Sequence, residues 1–323
     1  GERRPSAVVT MGRMETIITN WLRTVEPDSS LERVWELGGG ISSRMTAFTI
    51  SSGAGTRTLI LRQPNDWTLD NVPHAVGNEF RRLEALHRGG LPVQAPFFLD
   101  ETDSHFGRPG LVIEYIDGKP DLDPDDQPKY VDEFARQLSA IHHFDANTSG
   151  LALPEAATHD FRRYRDGEKP QADAAFQVDR IWAVLAANAG QKTRNDPVLL
   201  HGDFWPGSTL YRDGSLVAVI DWEEAGAGDP LMDLSISRLD LWWILGRQAM
   251  EAFTERYLAL NPIDTALLPL WDLRTALRPT SSLAEWAAAY SPLGRPDITA
   301  EYMLKTLSGF VSQAFDALDR ADL

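Results

Sequence analysis

The stretch His201-Gly202-Asp203-Phe204-Trp205-Pro206-Gly207-Ser208-Thr209-Leu210, continuing through Val217-Ala218-Val219-Ile220 into Asp221-Trp222-Glu223, decides how this chain is read. Val198-Leu199-Leu200 is a short apolar run that leads into a His-Gly-Asp corner. Two short strands then form a hairpin across Arg212-Asp213-Gly214-Ser215, and Asp221 stands where the second strand ends. Asp203 and Asp221 lie 18 residues apart, each at the edge of a buried strand, and they converge when the hairpin folds back. One carboxylate to orient a hydroxyl and one to hold a divalent cation is what phosphoryl transfer needs. Catalysis there is mainly positioning and neutralisation of charge on the transferred group.

Working outward, the chain changes character once. Met11 to Val25 has a helical apolar recurrence that stops before Pro27. Strands follow at Val34–Leu37, Met45–Ile50 and Thr58–Arg62, separated by Gly38-Gly39-Gly40 and by the turn Ser52-Gly53-Ala54-Gly55. His74–Arg88 reads as a helix, and Pro96–Leu99 and Leu111–Tyr115 as two more strands. After Asp117-Gly118-Lys119-Pro120 the pattern is helical: Tyr130–Phe144, Phe176–Ala189, Leu231–Leu245, Gln248–Leu260, Leu267–Tyr290 with a break at Pro279, and Thr299–Leu318. The expected architecture is α+β and bilobal. A β-rich N-terminal lobe, residues 1–116, carries one main helix, and a mostly helical C-terminal lobe, residues 117–323, carries the His-Gly-Asp segment.

Composition narrows the function classes. The 323 residues hold 31 Lys+Arg against 47 Asp+Glu, a net charge of −16, and no cysteine, so disulfides, thiolate metal sites and cysteine nucleophiles are excluded. A polyanion is repelled by that excess of carboxylates, which argues against a nucleic-acid partner. No apolar run approaches the ~20 residues of a membrane span. No signal-peptide pattern stands at the start, and a cytoplasmic location is the default expectation. Neither a G-x-x-x-x-G-K-[ST] loop, a G-x-S-x-G elbow nor an H-E-x-x-H helix occurs.

On these residues the chain resembles the aminoglycoside phosphotransferase family, a branch of the protein-kinase-like fold that includes antibiotic, choline and homoserine kinases. The resemblance rests on His201-Gly202-Asp203, Ile220-Asp221-Trp222 and Gly228-Asp229-Pro230-Leu231-Met232-Asp233-Leu234, in order, and spans roughly Val34 to Leu245. It implies ATP (or GTP) and Mg2+ as cofactors and a small-molecule hydroxyl acceptor, an aminoglycoside-like antibiotic or a related amino or hydroxyl compound. It also implies roles for particular residues. Asp203 matches the catalytic aspartate, Asp221 the magnesium ligand, and His201 and Asp233 the residues that brace the catalytic loop. Gly38, Gly39, Gly40, Ser42 and Ser43 match the loop over the phosphates, where backbone N–H groups approach only if side chains are absent. Arg62 stands at the phosphate-pairing cation and Glu79 at the acid that holds it. Glu114, Tyr115 and Ile116 match the connector whose backbone pairs with adenine.

Two positions depart from the family pattern. Ser208 replaces the usual Asn, offering magnesium a shorter hard-oxygen ligand. Arg62 replaces lysine, as in a subgroup resembling phosphotransferase-like modules associated with acyl-CoA metabolism; its planar fork requires a different phosphate geometry. Trp205 and Glu223 stand as candidate substrate-facing residues, whereas Phe204 is expected in the core. Acceptor specificity is expected from the C-terminal helices and from Ala157–Ala175. His142-His143 cannot chelate together, because adjacent helical residues point about 100° apart. His142 is expected to be packed and His143 solvated. Two other classes stay open: a catalytically impaired nucleotide-binding or regulatory protein, motivated by Ser208, and a scaffold that binds no nucleotide. The oligomeric state is not legible.

Overall fold

The computed structural model describes residues 11–38, 43–145, 151, 153, 161, 164, 165, 167–169 and 174–321. The chain divides into two compact units, Gly1–Asp117 and Gly118–Leu323.

The first unit is a five-stranded antiparallel sheet in the order β1-β2-β3-β5-β4. Its strands are β1 (Ser30–Leu37), β2 (Ser43–Ser52), β3 (Gly55–Pro64), β4 (Pro96–Asp100) and β5 (Gly110–Glu114). The segment Ser52-Gly53-Ala54-Gly55 is the β2–β3 turn, as expected: Ser52 pairs with Gly55, whose φ of +117° only glycine adopts freely. Helix α1 (Met11–Val25) lays Met14, Ile18, Trp21 and Leu22, one face at i, i+4, i+7 and i+8, on the sheet. They bury Phe48, Ile50, Leu59, Leu61 and Val112, with Trp21 edge-on to Phe48 at 5.9 Å and to Phe98 at 5.5 Å. Helix α2 (Asp66–Asn71) was invisible to periodicity because none of its residues is buried; Asn65 caps it by accepting from the Thr68 amide. Helix α3 (Ala75–Arg88) follows and carries Glu79.

The second unit is largely helical. Asp126, within the acid-rich stretch 117–133, caps α4 (Gln127–His142), accepting from the Lys129 amide at 3.1 Å. Helix α5 (Val178–Ala187) comes next, then β6 (Val198–Leu200), the hairpin β7 (Thr209–Arg212) and β8 (Ser215–Val219), and β9 (Gly226–Gly228). Strand β9 pairs antiparallel with β6, an element that Gly226-Ala227-Gly228 does not advertise, lacking any apolar alternation. Helices α6 (Leu231–Leu245), α7 (Arg247–Leu260), α8 (Leu268–Ala276), α9 (Leu283–Tyr290) and α10 (Ala300–Ala321) complete it. Helix α6 is buried on nearly every side, enclosed by α7, α8 and α10. The break expected at Pro279 separates α8 from α9. Among the described residues no helix is long and apolar enough to cross a membrane.

Candidate active site

The His-Gly-Asp corner leaves β6 and is held from beneath by α6. Asp233, fully buried, accepts the His201 amide at 2.7 Å on Oδ2 and the Gly202 amide at 2.9 Å on Oδ1. Burial pushes its carboxyl pKa up. The His142 hydrogen bond and charge, then His201, outweigh that and hold it below the usual carboxylate range. His142 in turn lies 3.3 Å from Asp233 Oδ2 and 2.6 Å from the Tyr257 hydroxyl, so it is packed into this network, while His143 is exposed. Gly202 has a φ of +87°; a Cβ there would press into the Glu224 carbonyl and stand 2.8 Å from its Cβ. Ser237 adds a third tie, donating to the Phe204 carbonyl at 2.7 Å. Phe204 is a core residue, stacked on Phe134 at 4.5 Å.

A clasp then joins this corner to the strand that ends at Asp221. His201 Nε2 donates to the Ile220 carbonyl at 2.8 Å, and its Nδ1 accepts the Asp203 amide at 3.3 Å. Those partners define a neutral ring with its proton on Nε2. Ser208 Oγ donates to the Asp203 carbonyl at 3.0 Å, and the Ser208 carbonyl accepts the Ile220 amide at 2.9 Å. Ile220 is thus gripped at both its amide and its carbonyl by the loop that carries Asp203, and Asp221 is the next residue. Asp221 takes a left-handed backbone (φ 63°, ψ 53°), a conformation few non-glycine residues hold. Its side chain is exposed, as is that of Glu223, whereas Ser208 is fully buried. Trp205 is half-buried, edge-on to Tyr290 at 6.2 Å and packed over Gly207.

Asp203, about a third exposed, is ion-paired through Oδ1 with Arg278, a residue that sequence reading passed over. Arg278 follows α8, immediately before Pro279, and its guanidinium lies 5.6 Å from the Trp286 ring centroid. The only sequence signal was a cation placed at the break of a long apolar helix. Asp240 on α6 faces the same pair. Burial raises its pKa to about 7, with Arg278 pulling down and Asp203 pushing up. Because the folded pKa exceeds the unfolded one, the native state binds the extra proton between about pH 4 and 7. The stability this gives is therefore lost as pH rises through that window. Asp240→Asn is expected to remove this dependence, gaining about 3 kcal/mol on the wild type between pH 5 and pH 8 in paired urea melts. A constant difference would show that Asp240 does not titrate there. A cavity of about 450 Å³ lies beside Arg278, lined also by Tyr164, Lys169, Trp182 and Arg274. Most of Ala157–Ala175, the other expected source of specificity, lies outside the described residues.

In the first unit, Arg62 on β3 is 5% exposed, and its Nε lies 3.1 Å from Glu79 Oε1. Ser43 opens β2 and is buried; Gly38 is described, while Gly39, Gly40 and Ser42 lie outside the described residues. The backbone of Glu114 is engaged at both ends: its amide donates to the Ala95 carbonyl at 2.8 Å and its carbonyl accepts Gln94 Nε2 at 2.9 Å. The Tyr115 amide donates to the Thr58 carbonyl at 3.3 Å.

An antiparallel five-stranded sheet unit followed by a helical unit with a braced His-Gly-Asp loop defines a protein-kinase-like phosphotransferase fold. The chain belongs to the phosphotransferase enzyme family APH, whose family model matches residues 34–271. Among its relatives, acyl-CoA dehydrogenase family member 10 of Mus musculus is 28% identical over 200 residues, covering 57% of this chain and 18% of that protein. The chain therefore spans about a fifth of that relative's length. Stress response kinase A of Escherichia coli O157:H7 is 23% identical over 322 residues, covering 90% of this chain and 93% of that one. Among solved structures, a thermostable mutant of aminoglycoside phosphotransferase APH(4)-Ia, in ternary complex with AMP-PNP and hygromycin B, matches with a TM-score of 0.58. It is 19% identical and covers 92% of this chain and 98% of that one.

Proposed function

We propose that the chain transfers the γ-phosphoryl group of ATP, or of GTP, to a hydroxyl of a small molecule. The observation that carries this reading is the clasp on Ile220, which ties the Asp221 backbone to the loop bearing Asp203. Asp203 orients the acceptor hydroxyl and takes up its proton. The hydroxyl oxygen bonds to the γ-phosphorus as the bond from that phosphorus to the β,γ-bridging oxygen breaks, and the nucleoside diphosphate leaves. In the first unit, Arg62, steadied by Glu79, is the cation for the nucleotide phosphates, with Gly38–Gly40, Ser42 and Ser43 as their covering loop. With both Glu114 backbone groups and the Tyr115 amide engaged, pairing with adenine falls to the Tyr115 carbonyl and the Ile116 backbone.

Asp221 offers an exposed, hard carboxylate oxygen suited to Mg2+, which takes few protein ligands and completes its shell with water and phosphate oxygens. Among the described residues no three His, Asp or Glu side chains gather to hold a metal by themselves, in keeping with a cation shared with a nucleotide. The Ser208 hydroxyl donates a hydrogen bond to the Asp203 carbonyl, which leaves its oxygen lone pairs for a cation. When bound, magnesium neutralises charge on the phosphates. The AMP-PNP in the APH(4)-Ia complex supports a nucleotide as the donor. The cytoplasm, which supplies ATP, is the location proposed.

The leading acceptors are aminoglycoside-like or other amino and hydroxyl compounds, with Trp205 and Glu223 as the residues proposed to meet them. The cavity lining mixes Lys169, Arg274 and Arg278 with Glu168, so the test spans acidic as well as cationic hydroxyl compounds. A nucleotide-consumption screen across cationic, neutral and acidic alcohols, with products identified by mass, is expected to return a phosphorylated acceptor. Thermal stabilisation by MgATP with no product from any acceptor would instead favour a regulatory nucleotide binder, the reading that the serine at position 208 invites. No stabilisation at all would leave a scaffold.

A further inference from the structure

We propose that Arg278 is a positioning residue for Asp203, a role that rests on the phosphotransfer reading above. An aspartate carboxylate turns readily about its last torsion, because that rotation is broad and roughly two-fold. The hydrogen bonds that fix residue 203 hold its backbone: the amide on His201 Nδ1 and the carbonyl on Ser208 Oγ. The carboxylate itself is oriented by the Arg278 guanidinium, which occupies Oδ1 and leaves Oδ2 to receive an acceptor hydroxyl.

Arg278 is itself fixed on several sides. Trp286 provides a face for the guanidinium, and Asp240, 5% exposed on α6, supplies a second acid whose charge acts on Arg278 together with that of Asp203. Pro279 follows directly and limits the backbone at residue 278. The same guanidinium lines the 450 Å³ cavity.

Two other roles for the contact make different forecasts. An inhibitory latch would hold Asp203 away from substrate, so its removal would raise turnover. A merely structural ion pair would change stability without changing the rate per folded molecule. A positioning residue lowers kcat, leaves nucleotide binding alone and acts only through Asp203.

The experiment compares the full chain with Arg278→Leu, Arg278→Lys and Asp240→Asn. Turnover is measured with MgATP and water as the basal acceptor, and with whichever alcohol gives a mass-identified product. Folding is monitored by circular dichroism and nucleotide binding by MgATP thermal shift. Arg278→Leu is expected to lower kcat about 100-fold with an unchanged MgATP shift, a loss typical of a reacting group displaced by about an ångström. Arg278→Lys, which keeps the charge but not the planar fork, is expected to recover part of it. In an Asp203→Asn background, Arg278→Leu is expected to cost nothing further. If Arg278→Leu does not fold, Arg278→Lys and Asp240→Asn carry the test through their kcat alone. An active wild type whose Arg278 variants keep or raise kcat, or lose it equally without Asp203, overturns this role and leaves the phosphotransfer reading standing. A wild type with no turnover on any acceptor overturns both.

Discussion

Asp203→Ala is expected to abolish detectable phosphotransfer while the chain still folds. The magnitude follows from the role proposed for the side chain. A positioned proton acceptor contributes about 10²–10⁴-fold, and aim at the phosphorus adds to it, so a loss of at least about 1,000-fold in kcat is expected. Folding should survive because Asp203 is braced through its backbone, by His201 and Ser208, rather than through its carboxylate. The variant does leave Arg278 without its Asp203 partner. Arg278 still faces Asp240 and is partly open to water, so the stability cost should stay below about 2 kcal/mol, in keeping with the modest worth of partly exposed pairs. Asp203→Asn, which keeps the shape, should be as inactive and closer to wild type in a denaturant melt. Product formation at near wild-type rate by either variant would remove Asp203 from the role assigned to it.

What the sequence made legible follows a physical boundary between local and distant determinants. Helix α1 was readable because Ile18, Trp21 and Leu22 repeat on one face, and the β2–β3 turn because Gly53 and Gly55 punctuate two apolar strands. The corner at His201 was readable because His201, Gly202, Asp203 and Asp233 stand at the spacing of a family pattern, and their mutual hydrogen bonds need those residue types. Helix α2 and strand β9 were not, since neither carries an apolar pattern: one buries nothing, and the other is two glycines around an alanine. The partner of Asp203 was hidden for a different reason. Arg278 lies 75 residues downstream of it, and no local rule links a cation at a helix break to a loop aspartate. Ser208 shows a third kind of gap. As a departure from a family pattern it suggested a weakened ligand, but its buried hydroxyl ties the loop to the Asp203 backbone. A substitution read as loss at one task is here also a structural tie.

That dependence of the loop on buried acceptors sets the second large effect. Asp233→Ala is expected to destabilise the chain by about 3–5 kcal/mol and to lower turnover even in the fraction that folds. The carboxylate satisfies two amides at once, those of His201 and Gly202, and lies beside His142. Removing it orphans both buried donors, at about 1–3 kcal/mol each, and leaves a space beneath the corner. The sign with pH separates this from a simple packing defect. Because the folded pKa of Asp233 lies below its ordinary value, the carboxylate's contribution is present in full above about pH 4 and is lost as pH falls toward the depressed pKa. The gap between wild type and Asp233→Ala should therefore be widest at neutral pH and shrink in acid, when measured by urea melts at pH 7 and pH 3. Asp233→Asn should fall between them, since an amide oxygen can serve one backbone donor while its NH2 faces the other. A gap that stayed constant across that range would mean the side chain acts by filling space. The loop bearing Asp203 would then owe its shape to the His201–Ile220 clasp and to Ser237 instead.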